Sequence, residues 1–232
     1  MVEIGGKPII WHIMKMYSTH GINEFVVCCG YKGYMIKEYF SNYVLHNADV
    51  TFDLKNRSME IHHEDVEPWR VTLVDTGEYT QTGGRLARIR AYLEDEEQFL
   101  MTYGDAVSDI DITDLIEFHK IQGTAATVTA VLPASRFGAL EVKGSLVTSF
   151  REKPATAEAL INGGFFALSP IVFNYIEGDL TFWEHEPLER LAKEGNLSAY
   201  RHTGFWHAMD TMRDRNTLEE MWNSGRSPWK TW

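Results

Sequence analysis

Two aspartates that lie far apart in the chain each close a short segment rich in aromatic residues. Asp105 ends the segment FLMTYGD at 99–105, and Asp210 ends the segment GFWHAMD at 204–210. In an open α/β sheet, ligands bind outside the carboxyl ends of the strands. A carboxylate at such an end, beside a glycine that lets a phosphate approach, is suited to bind a divalent cation such as magnesium. The two segments therefore suggest a metal pair formed by Asp105 and Asp210.

Each aspartate also has a structural interpretation. A Gly-Asp pair is a common turn at a strand end, and the side chain of Asp210 could accept hydrogen bonds as a helix N-cap. Two segments between the aspartates favour a ligand-binding site over these structural roles. They are Glu152-Lys153-Pro154 and NGGFF at 162–166. Pro154 biases Lys153 toward extended backbone, which presents the amine to a pocket. From these three residues alone, a surface ion pair is an equal alternative.

Segments along the whole chain resemble the sugar-1-phosphate nucleotidylyltransferases, and within them the cytidylyltransferases that act on glucose 1-phosphate. The matching segments are VEIGGKPI at 2–9, CGYKG at 29–33, EPW at 67–69, VDTG at 74–77, TGGRL at 82–86, TYGD at 102–105, EKP at 152–154 and FWHAMDT at 205–211. The resemblance implies a Rossmann-like nucleotide-diphospho-sugar transferase fold of the α/β class. In that fold a mostly parallel mixed sheet is flanked by helices and carries β-hairpin insertions.

The resemblance also implies an activity: transfer of a cytidylyl group from CTP to glucose 1-phosphate with magnesium, giving CDP-glucose and pyrophosphate. Such a product supplies CDP-linked deoxysugars for the lipopolysaccharide O-antigen. By the same resemblance, Asp105 and Asp210 bind the metal, and Asp105 and Lys153 are catalytic. The implied nucleotide-binding residues are Thr80, Gly83, Gly84, Arg85 and Gly104, and the implied sugar-binding residues are Gly138, Glu152, Lys153 and Gly163. For residues 80–85, the alternative is a flexible loop that caps a helix.

The chain departs from the family at its start. The family opens with an apolar strand, a glycine-rich phosphate-binding loop and a lysine, whereas here Met1 directly precedes the VEIGG segment. That strand is normally central, so its absence is expected to leave two neighbouring strands with unpaired edges. We expect one domain over residues 1–232, truncated relative to the family, with low stability, little or no nucleotidyl transfer and residual CDP-glucose affinity.

The composition and the sequence limit which partners and which compartment are expected. Lys plus Arg is 22 and Asp plus Glu is 33, so the net charge is 22 − 33 = −11, which argues against non-specific nucleic-acid binding. No apolar stretch approaches the roughly 20 residues of a membrane span, and no signal peptide is visible. The adjacent Cys28 and Cys29 point to opposite faces of a strand, which favours free thiols in a reducing cytoplasm. Three tryptophans in the tail at 222–232 predict a homo-oligomer.

Alternating patterns predict an α/β fold. We expect helices near 9–17, 31–43, 85–94, 113–122, 182–193 and 212–222, strands at 24–29, 69–74, 99–103, 125–132, 162–168 and 197–200, and hairpins at 51–62 and 138–150. Two alternative functions stay open: a nucleotide-sugar binding protein without catalysis, and a glycosyltransferase. The second would use Asp109 and Asp111 as an Asp-x-Asp metal motif, although a helix start explains them better. His62 and His63 are expected on a solvated hairpin.

Overall fold

The computed structural model describes residues 1–133, 139–143, 146–151 and 160–232. The predictions for Gly138, Glu152 and Lys153 lie outside these residues. The α-helices are α1 Ile9–Ser18, α2 Gly33–Ser41, α3 Tyr43–His46, α4 Thr82–Arg88, α5 Ile112–Gln122, α6 Glu186–Lys193 and α7 Met212–Asn223. Short 3₁₀ helices cover Arg90–Tyr92 and Pro170–Tyr175.

The described residues also form fourteen strands. They are β1 Glu3–Ile4, β2 Lys7–Pro8, β3 Glu24–Cys29, β4 Ala48–Asp53, β5 Ser58–Glu64, β6 Arg70–Asp75, β7 Phe99–Thr102, β8 Ala106–Ser108, β9 Ala126–Val131, β10 Ala139–Lys143, β11 Leu146–Arg151, β12 Ile161–Leu168, β13 Leu197–His202 and β14 Trp206–Ala208. Both predicted hairpins are present, as β4 with β5 and β10 with β11. His62 and His63 are exposed on the first hairpin, as predicted.

The strands form mixed sheets flanked by helices, which confirms the predicted class. The largest sheet has the order β13-β9-β12-β7, and a second sheet pairs β3 with β6. Parallel pairing among the described strands is confined to β9 with β13 and β3 with β6, and the other ladders are antiparallel. The described part of the sheet is therefore mixed, as predicted: β12 runs antiparallel to both of its neighbours, and the predicted hairpins add further antiparallel ladders.

The strands β3 and β7 each have one partner among the described strands, β6 and β12 respectively. Their side chains nevertheless enter the same two hydrophobic clusters. Phe25 and Leu100 pack on the cluster around α1 and α5, and Val26 and Met101 pack on the cluster around Phe166 and Trp183. The two strands thus lie in one layer, and each has one edge without a described ladder.

The boundaries of three helices differ from the predicted ones. The segment 31–43 holds two helices, α2 and α3, rather than one. The helix expected from Arg85 begins at Thr82, so the TGGR segment is helical rather than a loop. The helix expected from Phe182 begins at Glu186 and has Pro187 in its first turn, the position where proline fits a helix best.

The tail tryptophans belong to the interior of the chain. Trp229 is completely buried, and Trp222 and Trp232 pack against the same cluster. Trp229 stacks on Phe205 with ring centroids 5.6 Å apart. The inference that these residues form a subunit interface is therefore wrong, because α1 and the segment before Asp210 cover them within one chain. Among the described residues, no helix is long and apolar enough to cross a membrane.

Candidate active site at the ends of β7 and β14

The two aspartates singled out in the sequence are brought to one edge by a short antiparallel ladder. Strand β8 follows Asp105, strand β14 precedes Met209, and Ala106 pairs with Ala208. The ladder continues one step further, since the backbone N–H of Met209 donates to the carbonyl oxygen of Asp105 at 2.7 Å. Asp105 and Asp210 are both exposed to solvent. The sequence interpretation did not include this ladder, whose strands have three residues each.

The pKa of the Asp105 carboxyl responds to Asp210. Although Asp105 reaches solvent, partial burial and then the negative charge of Asp210 raise the pKa of its carboxyl. Two carboxylates that repel each other gain from a shared cation. Among the residues that the structure describes, no group of three or more His, Cys, Asp or Glu side chains forms a metal cluster. Two carboxylates fit magnesium, which usually takes one or two protein carboxylates together with substrate phosphates.

The structural alternative for Asp210 is wrong. The N-cap of α7 is Thr211, whose side chain accepts from the N–H of Asp214 while the Asp214 carboxylate accepts from the N–H of Thr211. This reciprocal pair satisfies the start of the helix without the carboxylate of Asp210. Asp210 therefore lies just before a capped helix, on the same edge as Asp105.

A bulged stretch of β12 forms the floor beside Asp105. The register of β12 against β9 shifts between Asn162 and Phe166, and Gly164 has φ of +79°, which favours glycine. The N–H of Gly164 donates to the Asn162 side chain at 2.8 Å, and the indole of Trp206 donates to the carbonyl of Gly163 at 2.7 Å. Bulges often redirect side chains next to active sites. The bond from Trp206 therefore links the predicted sugar-binding residue Gly163 to β14, the strand that ends two residues before Asp210.

The sequence interpretation missed Tyr103 and Glu184 as members of this edge. The backbone N–H of Tyr103 donates to Gly164 at 3.3 Å, and a side chain at Gly164 would collide with the Tyr103 ring. Burial, followed by the hydrogen bond to Glu184 and the charge of that residue, raises the pKa of the Tyr103 hydroxyl well above its usual range. The TYGD motif contained Tyr103, but no sequence signal linked it to a glutamate 81 positions away.

The predicted nucleotide-binding glycines have a structural task in α4. A Cβ at Gly83 would lie 2.8 Å from the carbonyl oxygen of Thr181, and one at Gly84 would collide with the backbone of Asp179. Both glycines are buried against the segment 179–183. Their absent side chains therefore allow close contact between two parts of the chain. A side chain at either glycine would point into the segment 179–183 and not toward a nucleotide base. Any nucleotide contact has to come from other atoms of this turn.

Arg85 organises the carboxyl ends of β3 and β6. Its guanidinium donates to the hydroxyl of Thr76 at 2.8 Å and to the carbonyl of Glu78 at 3.2 Å, and it lies so close to Gly30 that a side chain there would collide with it. Thr76 in turn bonds to the carbonyl of Cys29. These bonds use two of the five guanidinium N–H donors, so the interpretation of Arg85 as a nucleotide ligand stays a prediction.

Gly104 and Thr80 differ in their surroundings. Gly104 is exposed, and a Cβ there would meet no atom within 4 Å. That open space lies directly before Asp105 and is where a ligand could approach the backbone. Thr80 is 8% exposed and lies against Gly77, so it offers little surface to a nucleotide in this arrangement. Both assignments stay predictions.

Asp109 and Asp111, the residues behind the glycosyltransferase alternative, have structural roles. Asp109 accepts from the N–H of Phe205 at 2.6 Å and lies 3.0 Å from the His202 ring nitrogen. Asp111 is the N-cap of α5 and accepts from the N–H of Asp114 at 3.0 Å. The preferred interpretation as a helix start is confirmed. The bond of Asp109 to the backbone fixes the turn that leads into β14.

Comparisons with known proteins show the family and the fold of the chain. The sequence profile of the Nucleotidyl transferase family matches residues 1–207. The fold is similar to that of HddC from Yersinia pseudotuberculosis, with a TM-score of 0.68 at 20% identity over 96% of this chain and 88% of that one. A UDP-glucose pyrophosphorylase crystallised with UDP-glucose has a TM-score of 0.65 at 16% identity over 97% and 90% of the two chains.

The chain belongs to the nucleotidyl transferase family, a class of enzymes. Among its relatives, the glucose-1-phosphate cytidylyltransferase of Salmonella typhimurium is 59% identical over all of this chain and 90% of its own length. A probable glucose-1-phosphate cytidylyltransferase of Bacillus subtilis is 45% identical over all of this chain and 91% of its own length. The resemblance derived from the motifs is thus confirmed.

Proposed function

We propose that this protein transfers a cytidylyl group from CTP to α-D-glucose 1-phosphate, giving CDP-glucose and pyrophosphate. In this reaction a phosphate oxygen of glucose 1-phosphate attacks the α-phosphorus of CTP. A new P–O bond forms, and the bond between the α-phosphorus and the bridging oxygen of pyrophosphate breaks. Such in-line displacement depends mainly on positioning and on neutralisation of charge. The names of the relatives at 59% and 45% identity support the choice of both substrates.

The observation that carries the proposal is the β8–β14 ladder, extended by the bond from Met209 to Asp105, which brings Asp105 and Asp210 to the same edge. Partial burial first, and the negative charge of Asp210 second, raise the pKa of the Asp105 carboxyl. Asp105 and Asp210 would hold magnesium, which would reduce the repulsion between two phosphate-bearing substrates. The chain itself contributes the main-chain ladder that positions the two aspartates and the open approach over Gly104.

The test is a pyrophosphate-release assay with magnesium and glucose 1-phosphate. It compares CTP with UTP, GTP and dTTP, and glucose 1-phosphate with mannose 1-phosphate. We run it on the 232-residue chain and on a form that carries the opening strand and loop of the family. The proposal expects pyrophosphate and CDP-glucose in equal amounts, with CTP preferred. Turnover with another nucleotide but not with CTP would overturn the assignment of the substrate.

Two alternatives are separated by the products of the same reaction. A binding protein would retain CDP-glucose in titration calorimetry but release no pyrophosphate in either form. A glycosyltransferase would release CDP or UDP from a nucleotide sugar only when an acceptor is present. The structural roles of Asp109 and Asp111 remove the motif on which the glycosyltransferase alternative depended.

Two further properties belong to the proposal. We place the enzyme in the cytoplasm, in line with Cys28 and Cys29, which are free thiols; partial burial raises the pKa of Cys28 to about 11. We also expect subunits to associate, as the resemblance implies. Several exposed apolar side chains lie on the β4–β5 hairpin, where Phe52 faces Met59 across the ladder. Light scattering at micromolar concentration tests this, and a monomer would contradict it.

A further inference from the structure

Glu184 joins two parts of the candidate site that are far apart in sequence. Its carboxylate accepts from the hydroxyl of Thr82, the first residue of α4, at 2.6 Å. The same hydroxyl accepts from the backbone N–H of Trp183 at 2.9 Å. Trp183 is completely buried and packs on Phe166 of β12. The backbone next to Glu184 is therefore anchored in the core, and the start of α4 is attached to it.

The second partner of Glu184 lies at the metal edge. Tyr103 directly precedes Gly104 and Asp105, and its hydroxyl lies near the carboxylate of Glu184, whose negative charge contributes to raising the pKa of that hydroxyl. The Asn162 amide donates to the same hydroxyl at 3.5 Å, and the Tyr103 backbone is bonded to Gly164. The ring of Tyr103 packs edge-on against Phe166, with centroids 5.9 Å apart. Glu184 thus connects α4, β7 and the bulge of β12.

A carboxylate suits this position better than an amide. Its two oxygens can accept from two hydroxyl groups at the same time, and hydrogen bonds to a charged acceptor are stronger than neutral ones. A glutamine offers one carbonyl oxygen, so one hydroxyl would have to turn toward an N–H₂ group. Because Thr82 is exposed, solvent screens part of its bond, and the expected effect of a substitution is moderate.

We propose that Glu184 is a positioning residue for the nucleotide: its carboxylate holds the first turn of α4 and Tyr103 in one arrangement, so that CTP meets a preformed site. This inference rests on the proposed function, in which residues 80–85 contact the nucleotide and Asp105 binds the metal. Glu184 acts through Thr82 and Tyr103 and needs no contact with substrate. Preformed sites gain affinity because less order is imposed on binding.

The same chain offers a matched control. Tyr175 donates to the carboxylate of Glu194 at 2.6 Å, and the Asn196 amide lies 3.5 Å from the Tyr175 hydroxyl. This trio repeats the chemistry of Tyr103, Glu184 and Asn162, but it joins a 3₁₀ helix to the residues after α6 and includes none of the predicted site residues. Glu194→Gln therefore makes the same chemical change in a tyrosine–glutamate–asparagine group that lacks a link to α4.

Two measurements test the proposal in the 232-residue chain. Hydrogen exchange reports how often the amides of residues 82–86 open without ligand. Titration calorimetry gives the Kd of CTP with magnesium and the Kd of glucose 1-phosphate. We expect Glu184→Gln to speed exchange at 82–86 and to weaken CTP binding, each by about fivefold, the effect of one lost hydrogen bond. Binding of glucose 1-phosphate should change by less than about twofold, since the proposal gives Glu184 no role in it.

Glu194→Gln should change none of these three quantities, even where it lowers the free energy of unfolding by a similar amount. Tyr103→Phe combined with Glu184→Gln should weaken CTP binding by less than the product of the single effects, because both changes break one network. Equal exchange and equal CTP affinity in Glu184→Gln and wild type would overturn the inference. If neither the wild-type chain nor the form that carries the opening strand and loop binds CTP, the proposed function is overturned instead, while the exchange of residues 82–86 would still decide whether Glu184 positions α4.

Discussion

The backbone N–H of Met209 donates a 2.7 Å hydrogen bond to the carbonyl oxygen of Asp105, one residue beyond the pairing of Ala106 with Ala208. This bond means that the two site aspartates are positioned by main chain rather than by flexible side chains. Residues on rigid elements hold catalytic geometry better than residues on loops. The pKa of the Asp105 carboxyl is raised, first by partial burial and second by the negative charge of Asp210.

The first prediction concerns stability without metal. Because the pKa of Asp105 is higher in the folded chain than in the unfolded chain, ionisation of this group opposes folding. This cost to the free energy of folding is absent at a pH well below the unfolded pKa of about 3.9, and it is complete at a pH above the folded pKa. In the presence of a chelator at neutral pH, Asp105→Asn should therefore leave the melting temperature unchanged or raise it by about 1–2 °C. A large decrease would show that Asp105 is a structural residue instead.

The second prediction concerns His12, which is completely buried. Its Nε2 donates to the carbonyl of Ile4 at 2.8 Å, and its Nδ1 accepts from the indole of Trp229 at 3.4 Å. Both bonds fit the neutral ring, and burial is the main cause that lowers its pKa. The stability from neutral His12 is therefore complete above about pH 6.5, the unfolded pKa, and is lost as the pH falls from there toward the folded pKa.

Urea unfolding at neutral pH and near pH 5 measures this loss. His12→Gln keeps a donor for Ile4 but cannot be protonated, so it should cost about 1–2 kcal/mol at neutral pH and flatten the decrease toward pH 5. Burial also lowers the pKa of His119, whose Nδ1 bonds to Thr127 at 2.8 Å. His119→Gln should remove a further part of the decrease. If the full decrease persists in the double variant, these two histidines do not cause it.

The third prediction compares two neighbouring glycines in the turn between β1 and β2. Both have positive φ, +57° at Gly5 and +74° at Gly6. A Cβ at Gly5 would overlap the indole of Trp222, whereas a Cβ at Gly6 would meet no atom within 4 Å. Gly6→Ala should cost about 1 kcal/mol of backbone strain, and Gly5→Ala should cost about 1–3 kcal/mol more because the Trp222 ring must move. Equal losses in denaturant unfolding would contradict the packing of Trp222 on this turn.

The fourth prediction separates a ligand role from a packing role. Gly104→Ala fills open space beside Asp105, so it should change the free energy of unfolding by less than about 0.5 kcal/mol while weakening CTP binding. Gly84→Ala places a methyl group on the backbone of Asp179, so it should lower stability by about 1–3 kcal/mol. Calorimetry and denaturant unfolding of both variants are the measurements. Unchanged CTP affinity in Gly104→Ala would remove Gly104 from the site.

Much of this fold could be predicted from residue patterns. The apolar positions of α1, the buried strand β3 and the β4–β5 hairpin have the expected bounds within a few residues. The start of α4 could not be predicted, because Gly83 and Gly84 disfavour a helix locally. They are helical because the segment 179–183 packs on them, and that contact is not visible in local sequence.

The candidate site, like the fold, could be predicted only in part from the sequence. The motifs led to Asp105 and Asp210, and the structure brings them to one edge through a ladder too short to recognise in sequence. Glu184 and Asn162 could not be linked to Tyr103 in advance, because no spacing rule relates residues on three different elements. The prediction of a subunit interface from the tail tryptophans was wrong, because composition does not tell whether aromatic side chains are covered by the same chain or by a second copy.

The central claim is that Asp105 and Asp210 together hold the divalent metal. The most direct measurement is a titration of Mn²⁺ into the 232-residue chain, followed by water-proton relaxation with and without CTP. We compare wild type with Asp105→Asn and Asp210→Asn. The control is Asp111→Asn, which neutralises an exposed N-cap aspartate and keeps a good cap. We expect at least about tenfold weaker Mn²⁺ binding in each site variant and no change in the control. Wild-type affinity in either site variant would contradict the account.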